Sequence, residues 1–394
     1  MARDSSTARS TWSPSSASRS PSRSEPTDYP QPHASRATNR RRLMAQQEFI
    51  IQRYNPDTDE SYEESFNVDV QPGQTVLDSL NAIKWEQDGT LSFRMSCRHA
   101  ICGSCAMKVN GQSMLSCQTQ VDAAAERGDP IRVGPQGNQH VVKDLVVDVE
   151  KFLHQFERAE TWLEPHEDQD PPEREYRQKV DEFDHWSHAS TCIHCGACYS
   201  DCTVAAVDEN FLGPAALAKA YRFVMDSRDA KREERLKFLS EEQGGIWDCT
   251  RCYMCVQACP KDVLPMDAIM ELRTMAIEAG HTNNHGVRHH KGFTSGVRKR
   301  GRLDEMMLPI QSVGIGRLLT GNIDAHKEMM DYTPGAIRLL KSRKLLTIAQ
   351  RHGANAEGRE QIERIFEEVE AEKHHHSVDA DAFGAEFETA LGGH

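Results

Sequence analysis

The chain has 394 residues, enough for two or three domains at roughly 100–200 residues each. Hydrophobic residues make up 38% and charged residues 27%, a lean apolar share that leaves room for unstructured tails or partner-covered surface. Lys and Arg number 47 against 60 Asp and Glu, and the resulting −13 argues against nucleic acid as the main ligand, because a phosphate backbone needs a basic face.

Residues 1–43 hold eleven Ser, five Pro and eight Arg with few large aliphatic side chains, so the segment cannot offset its ordering entropy and is expected to be disordered. An Arg- and Ser-rich transit peptide, or translation from Met44, are the alternatives. Strands are expected at 49–54 and 65–70 around the turn Asn55-Pro56-Asp57, then a helix over 76–83 with Thr75 as N-cap. Short strands near 106–109, 113–117 and 131–133, closed by 141–149, make residues 44–150 an α+β domain. Helical patterns at 149–156, 214–225 and 265–279, with a loop at Asp168-Gln169-Asp170-Pro171-Pro172, mark 151–280 as an α-helical domain. A helical, His-rich and basic extension over 281–372 and a flexible acidic tail over 373–394 complete the chain.

All twelve cysteines fall in three clusters, at 97–117, 192–202 and 249–259. A disulfide scaffold spreads its cysteines through a small secreted domain, and no apolar secretory stretch is present at the N-terminus, so these thiols read as metal ligands. Cys97, Cys102, Cys105 and Cys117 have the plant-type [2Fe–2S] spacing, in which a loop wraps one side of the cluster and a strand end brings the last thiolate. A zinc site is the alternative, although zinc sites pair one C-x₂₋₄-C with a second. Cys192, Cys195, Cys198 and Cys202, and again Cys249, Cys252, Cys255 and Cys259, repeat the spacing of two-cluster ferredoxins, where the fourth cysteine of each run serves the other cluster. Cys259 should therefore join Cys192, Cys195 and Cys198 on a [4Fe–4S] cluster. Cys202 should join Cys249 and Cys255, with Cys252 available as a fourth ligand.

The motifs Ser96-Cys97-Arg98, Ile101 to Met107, Lys143 to Asp148, Trp162-Leu163, Phe211 to Leu217, Ala220 to Phe223 and Asp226 to Asp229 resemble the iron–sulfur subunit of succinate dehydrogenase and quinol:fumarate reductase, the complex II family. The resemblance covers about 48–279 and includes segments without cysteine. It implies a β-grasp [2Fe–2S] ferredoxin-type domain followed by an all-α domain with two ferredoxin-like ladders. It also implies [2Fe–2S], [4Fe–4S] and [3Fe–4S] centres, the third being a second [4Fe–4S] if Cys252 binds. The implied role is electron transfer from an FAD-containing flavoprotein subunit to quinone, with no catalytic residue in this chain, since the hydride chemistry belongs to the flavin. A membrane-anchor cytochrome b subunit would hold it peripherally on the cytoplasmic face of the cell membrane. The alternatives are a fumarate reductase subunit working from menaquinol or thiols, and a free-standing ferredoxin or metal store.

Three residues depart from the family pattern. Cys252 stands where a non-ligand is usual, which would lower the third centre's potential and favour menaquinone. Thr203 replaces a proline, and Val207 replaces the quinone-site tryptophan of ubiquinone-type members. The extension is only faintly like the C subunit of heterodisulfide reductases. His281, His285, His289 and His290 could hold a metal or haem but read better as solvated. Arg298-Lys299-Arg300 and Arg338, Lys341, Arg343 and Lys344 suit either anionic lipid or ordinary surface charge.

Overall fold

A computed structural model describes residues 45–125, 128–166, 175–342 and 358–371. The expected disorder of 1–43, the loop at 168–172 and the acidic tail lie outside the described residues.

The N-terminal half is built on a five-stranded sheet. Strands β1 (Ala45–Asn55) and β2 (Glu60–Val70) form an antiparallel hairpin, and β2 starts five residues before the expected strand because the register runs unbroken to Asn55↔Glu60. Sheet order is β2-β1-β5-β3-β4, with β3 at Ala106–Val109, β4 at Gln112–Leu115 and β5 at Ile131–Gly134. Only β1 and β5 run parallel among these pairings. Alternation along β1 sends Phe49 and Ile51 inward against α1 (Val76–Ala82), where they pack with Leu80, Met107, Ile131 and Val133. Thr75 caps α1 as expected, in a reciprocal capping box with Asp78. After the short helix α2 (Val121–Ala124) and β5, the expected 141–149 segment splits into two small strands, β6 (Val141–Lys143) and β7 (Val146–Val147), turned by Asp144 at φ 49°.

That turn is held by an ionic clip. Arg53 of β1, only 3% exposed, donates to Asp144 at 2.9 Å, Asp88 at 2.6 Å and Thr90 at 3.0 Å, and also pairs with Glu64. Asp144 in turn accepts from the Ser92 N–H at 2.8 Å. Arg53→Ala leaves Asp144 buried without its cation, and the expected cost is about 3–5 kcal/mol. A fall in the thermal midpoint followed through the visible circular dichroism of this half checks it; an unchanged midpoint would contradict it.

The second half is helical: α3 (Glu150–Arg158), α4 (Val180–Ser190), α5 (Ala197–Ser200), α6 (Gly213–Val224), α7 (Arg232–Glu241), α8 (Met254–Gln257) and α9 (Pro265–Glu278). The expected helices correspond to α3, α6 and α9. Helix α6 is buried almost all round, and its Ala215, Ala216, Leu217, Ala218 and Tyr221 form the middle of one core shared with α3, α4 and α9. The cysteine-free family segments meet here. Arg235 donates to Asp229 at 3.0 Å and to the Trp162 carbonyl at 2.8 Å, while Asp226 accepts from Arg228 and pairs with Arg222.

The extension continues as α10 (His285–Arg300), α11 (Leu308–Val313), α12 (Ile315–Leu319), α13 (Ile323–Asp331) and α14 (Thr333–Lys341), with a further helical stretch over 359–371. Gly286 lets α10 lie on Trp247, since a Cβ there would meet the indole side chain at 2.3 Å. His285 and His289 stack with ring centroids 6.3 Å apart but form no metal-holding group among the described residues: His289 faces the Ser312 hydroxyl at 3.0 Å and His285 the Tyr332 hydroxyl at 3.2 Å. Arg298 and Arg300 pair with Glu370 and Asp304 at 2.6 Å each, so part of that basic run is spent on the protein itself. Arg338 and Lys341 lie on the exposed α14, whereas Arg343 and Lys344 fall outside the described residues.

Candidate cluster-binding sites

The first thiol set sits on the loop between α1 and β3 and at the end of β4. Arg98, Ala100 and Gly103 all take positive φ there, which coils the loop around Cys97, Cys102 and Cys105, and Cys117 follows β4. Backbone N–H groups of His99 and Cys102 point at the Cys97 sulfur, each at 3.3 Å. Such N–H···S contacts favour negative charge on sulfur and raise a cluster's potential. The Ser104 hydroxyl, with backbone N–H groups, brings the Cys102 thiol down to about 6, while burial pushes Cys105 up to about 11.

The two ladders have the same backbone shape. His194 and Gly196 in the first, and Arg251 and Tyr253 in the second, take left-handed φ at matching places, two and four residues after the leading cysteine. Each ladder then enters a one-turn helix, α5 or α8, that carries the third cysteine. Cys252 therefore occupies the backbone position in the second ladder that Cys195 occupies in the first.

The ladders close around two cavities. One is lined by Cys192, Cys195, Cys198 and Cys259 together with apolar Phe152, Ala215, Val263 and Pro265. The other is lined by Cys202, Cys249, Cys252 and Cys255 with Val204, Phe211, Met266 and Ile269. Burial pushes Cys195 up to about 11 and Cys255 up to about 12, and holds Cys198 well above the ordinary thiol value. Free thiols in such walls stay protonated, so binding metal must release protons. Cys252 differs: burial opposes its thiolate, but the Met254 N–H and the hydroxyls of Thr203 and Thr250 bring its thiol below the ordinary value. Thr203 reaches the Cys252 sulfur at 3.7 Å, a contact that a proline in its place could not make. The residues fit iron–sulfur clusters. Four soft thiols ring each apolar cavity, and among the described residues no three His, Cys, Asp or Glu side chains gather tightly enough for a single ion. Clusters bound there supply one-electron transfer.

The three sets touch in series. A Cβ on Gly103 would meet Cys195 Cβ at 2.8 Å and its Cα at 2.9 Å, so the first loop lies directly on the first ladder. Residues without a metal-binding signature hold that contact. Gln136 donates to the Cys195 carbonyl at 2.8 Å, and Asn138 to those of Tyr199 at 2.7 Å and Cys202 at 2.8 Å. Ser113 bonds Ser200 and Asp201, each at 2.7 Å. No spacing rule singled these out; only the polar run Gln136 to Gln139 after a buried strand hints at them. Val207 stands 85% exposed just beyond Cys202.

Two family models match the chain: a 2Fe-2S iron-sulfur cluster binding domain over residues 48–154 and a 4Fe-4S dicluster domain over 188–263. A fumarate reductase iron-sulfur subunit from Mycobacterium tuberculosis is 40% identical over 227 residues, 57% of this chain and 91% of its own length. An 8-methylmenaquinol:fumarate reductase iron-sulfur subunit from Wolinella succinogenes is 31% identical over 331 residues, 82% of this chain and 98% of its own. In structure the fold resembles a chain of the Mycobacterium smegmatis Sdh1 complex in the apo form, at a TM-score of 0.55 and 24% identity, over 61% of this chain and 99% of that one. With [2Fe–2S] and [4Fe–4S] cluster-binding domains in sequence and relatives of this kind, the chain belongs to the complex II family as an iron–sulfur subunit of succinate dehydrogenase and fumarate reductase, the electron relay of that oxidoreductase.

Proposed function

We propose that three centres pass electrons along this chain from an FAD-containing flavoprotein subunit to a quinone. Cys97, Cys102, Cys105 and Cys117 hold the [2Fe–2S] cluster, and Cys192, Cys195, Cys198 and Cys259 the first [4Fe–4S] cluster. Cys202, Cys249, Cys252 and Cys255 hold the third, as a second [4Fe–4S] rather than a [3Fe–4S] centre. The observation that carries this reading is the serial contact of the thiol sets, from Gly103 on Cys195 to the cavity that Cys252 lines with Cys202, Cys249 and Cys255. The sheet half is read as a β-grasp domain over 44–150 and the ladders as one domain over 151–280. A cytochrome b anchor would hold the subunit on the cytoplasmic face of the cell membrane; among the described residues no helix is long and apolar enough to cross one.

Menaquinone is the acceptor this reading favours, because a fourth thiolate lowers the third centre's potential. The reverse reaction, fumarate reduction from menaquinol, has one specific support. The match to the Wolinella succinogenes subunit spans 82% of this chain, more than residues 1–280 can supply, and so takes in part of the extension.

Cys252→Ala tests the ligand set. The expected result is a wild type without an intense oxidised three-iron EPR signal and a variant that gains one. A three-iron signal already present in the wild type, and unchanged in the variant, would contradict it. Menaquinone-analogue reduction by succinate, compared with ubiquinone-analogue reduction in the same complex, tests the acceptor.

A further inference from the structure

Three arginines are buried among the described residues, each no more than 4% exposed: Arg53, Arg235 and Arg273. Two of them have carboxylate partners. Arg53 pairs with Asp144 at 2.9 Å and Arg235 with Asp229 at 3.0 Å. Arg273, on α9, has no carboxylate within ion-pair distance among the described residues. Its Nε and Nη2 donate to the Ile246 carbonyl at 2.9 and 2.6 Å, and Nη2 also to the carbonyls of Trp247 at 3.2 Å and Cys249 at 2.7 Å. Nη1 faces the Met270 sulfur at 3.9 Å, and the guanidinium lies 5.1 Å from the Trp247 ring centroid. The neighbouring Asp248 carboxylate instead accepts from the Gly244 N–H at 2.7 Å.

Carbonyl oxygens take the Nε and Nη2 N–H groups, and Asp248, though near enough to favour the cation, makes no ion pair with it, so the charge has no counter-ion in contact among the described residues. A buried cation without a counter-ion is costly, and arginine cannot shed its proton to escape. The arginine that lacks a carboxylate is also the one bonded to a ligand residue's backbone, at Cys249. We propose that the counter-ion of Arg273 is the third centre itself, whose thiolates and sulfides carry net negative charge, and that Arg273 raises that centre's reduction potential. The proposal rests on the assignment of Cys249 to the third centre. Reduction adds one electron and one negative charge to the centre, and a fixed cation beside it stabilises that form. Arg273 stays protonated throughout.

EPR-monitored potentiometry of the whole complex tests this, centre by centre. Arg273→Gln is expected to weaken the third centre's hold on its electron about tenfold, a downward shift of about 59 mV for one electron. Arg273→Lys, which keeps the charge, is expected to restore the wild-type value, and the other two centres to stay put. Met270→Glu places a carboxylate three residues before Arg273 on the same helix, neutralising it while its carbonyl bonds remain. It is expected to shift the potential as Arg273→Gln does, with Met270→Gln inert, and it decides the matter alone if Arg273→Gln fails to assemble. An unmoved potential in Met270→Glu, or Arg273→Lys falling as far as Arg273→Gln, would overturn the proposal and leave Arg273 a loop anchor. Absence of any third-centre signal in the wild type would instead overturn the ligand assignment, and this proposal with it.

Discussion

Cys259→Ala is expected to remove the first [4Fe–4S] centre, although Cys259 belongs to the second ladder. Its side chain lines the cavity of Cys192, Cys195 and Cys198, not that of its own neighbours Cys252 and Cys255. The proposed crossed ligation would make each ladder a clamp on the other, so cluster binding would contribute directly to the folding free energy of the helical half. The expected loss is about four irons per chain, with the [2Fe–2S] signal kept. Cys117→Ala should do the converse, erasing the [2Fe–2S] signal and sparing both cubanes, since its three partners all lie on one loop. If Cys259→Ala instead removed only the third centre, the ladders would be uncrossed.

Gly103→Ala has the second large effect. Its φ of 73° is strained for any side chain, and the new methyl carbon would lie 2.8 Å from Cys195 Cβ, on an element that cannot move without opening the first ladder. Strain of about 1–3 kcal/mol from the backbone alone, with the clash added, is expected to push the two loops apart. Two readouts follow: weaker magnetic coupling between the [2Fe–2S] and first [4Fe–4S] signals, and slower reduction of the third centre by succinate. Unchanged coupling with unchanged rate would show that the contact is not the electron's route. Gly73→Ala is the control, with φ +80° but nothing near its Cβ, and should leave both untouched.

Much of this was legible in the sequence because cysteine spacing is a direct statement about geometry. Two ladders with identical spacing fold to the same run of left-handed residues, and that equivalence puts Cys252 where Cys195 sits. Strand and helix periodicity likewise located β1, β3, β5, α1, α6 and α9 to within a few residues. What escaped was long-range and polar. Asn138, Gln136 and Ser113 become clamps only when the sheet meets the first ladder, and no local pattern encodes a partner 61 residues away. Arg273 reads as one more helix arginine until its burial and missing carboxylate are seen together. Helices α4 and α7 lack a broad apolar stripe: Arg222 of α6 lies over the Trp186 ring of α4 at 4.5 Å, and Arg235 of α7 pairs with Asp229 at 3.0 Å.

The central claim is that one chain holds three centres on all twelve cysteines, the last with four thiolates. Mössbauer spectroscopy of ⁵⁷Fe-labelled complex, purified anaerobically, tests it most directly. The expected spectrum divides the iron roughly 2:4:4 among one two-iron and two four-iron centres. A division near 2:4:3 with an oxidised three-iron component would contradict the role given to Cys252, and a single cubane would contradict the crossed ladders altogether.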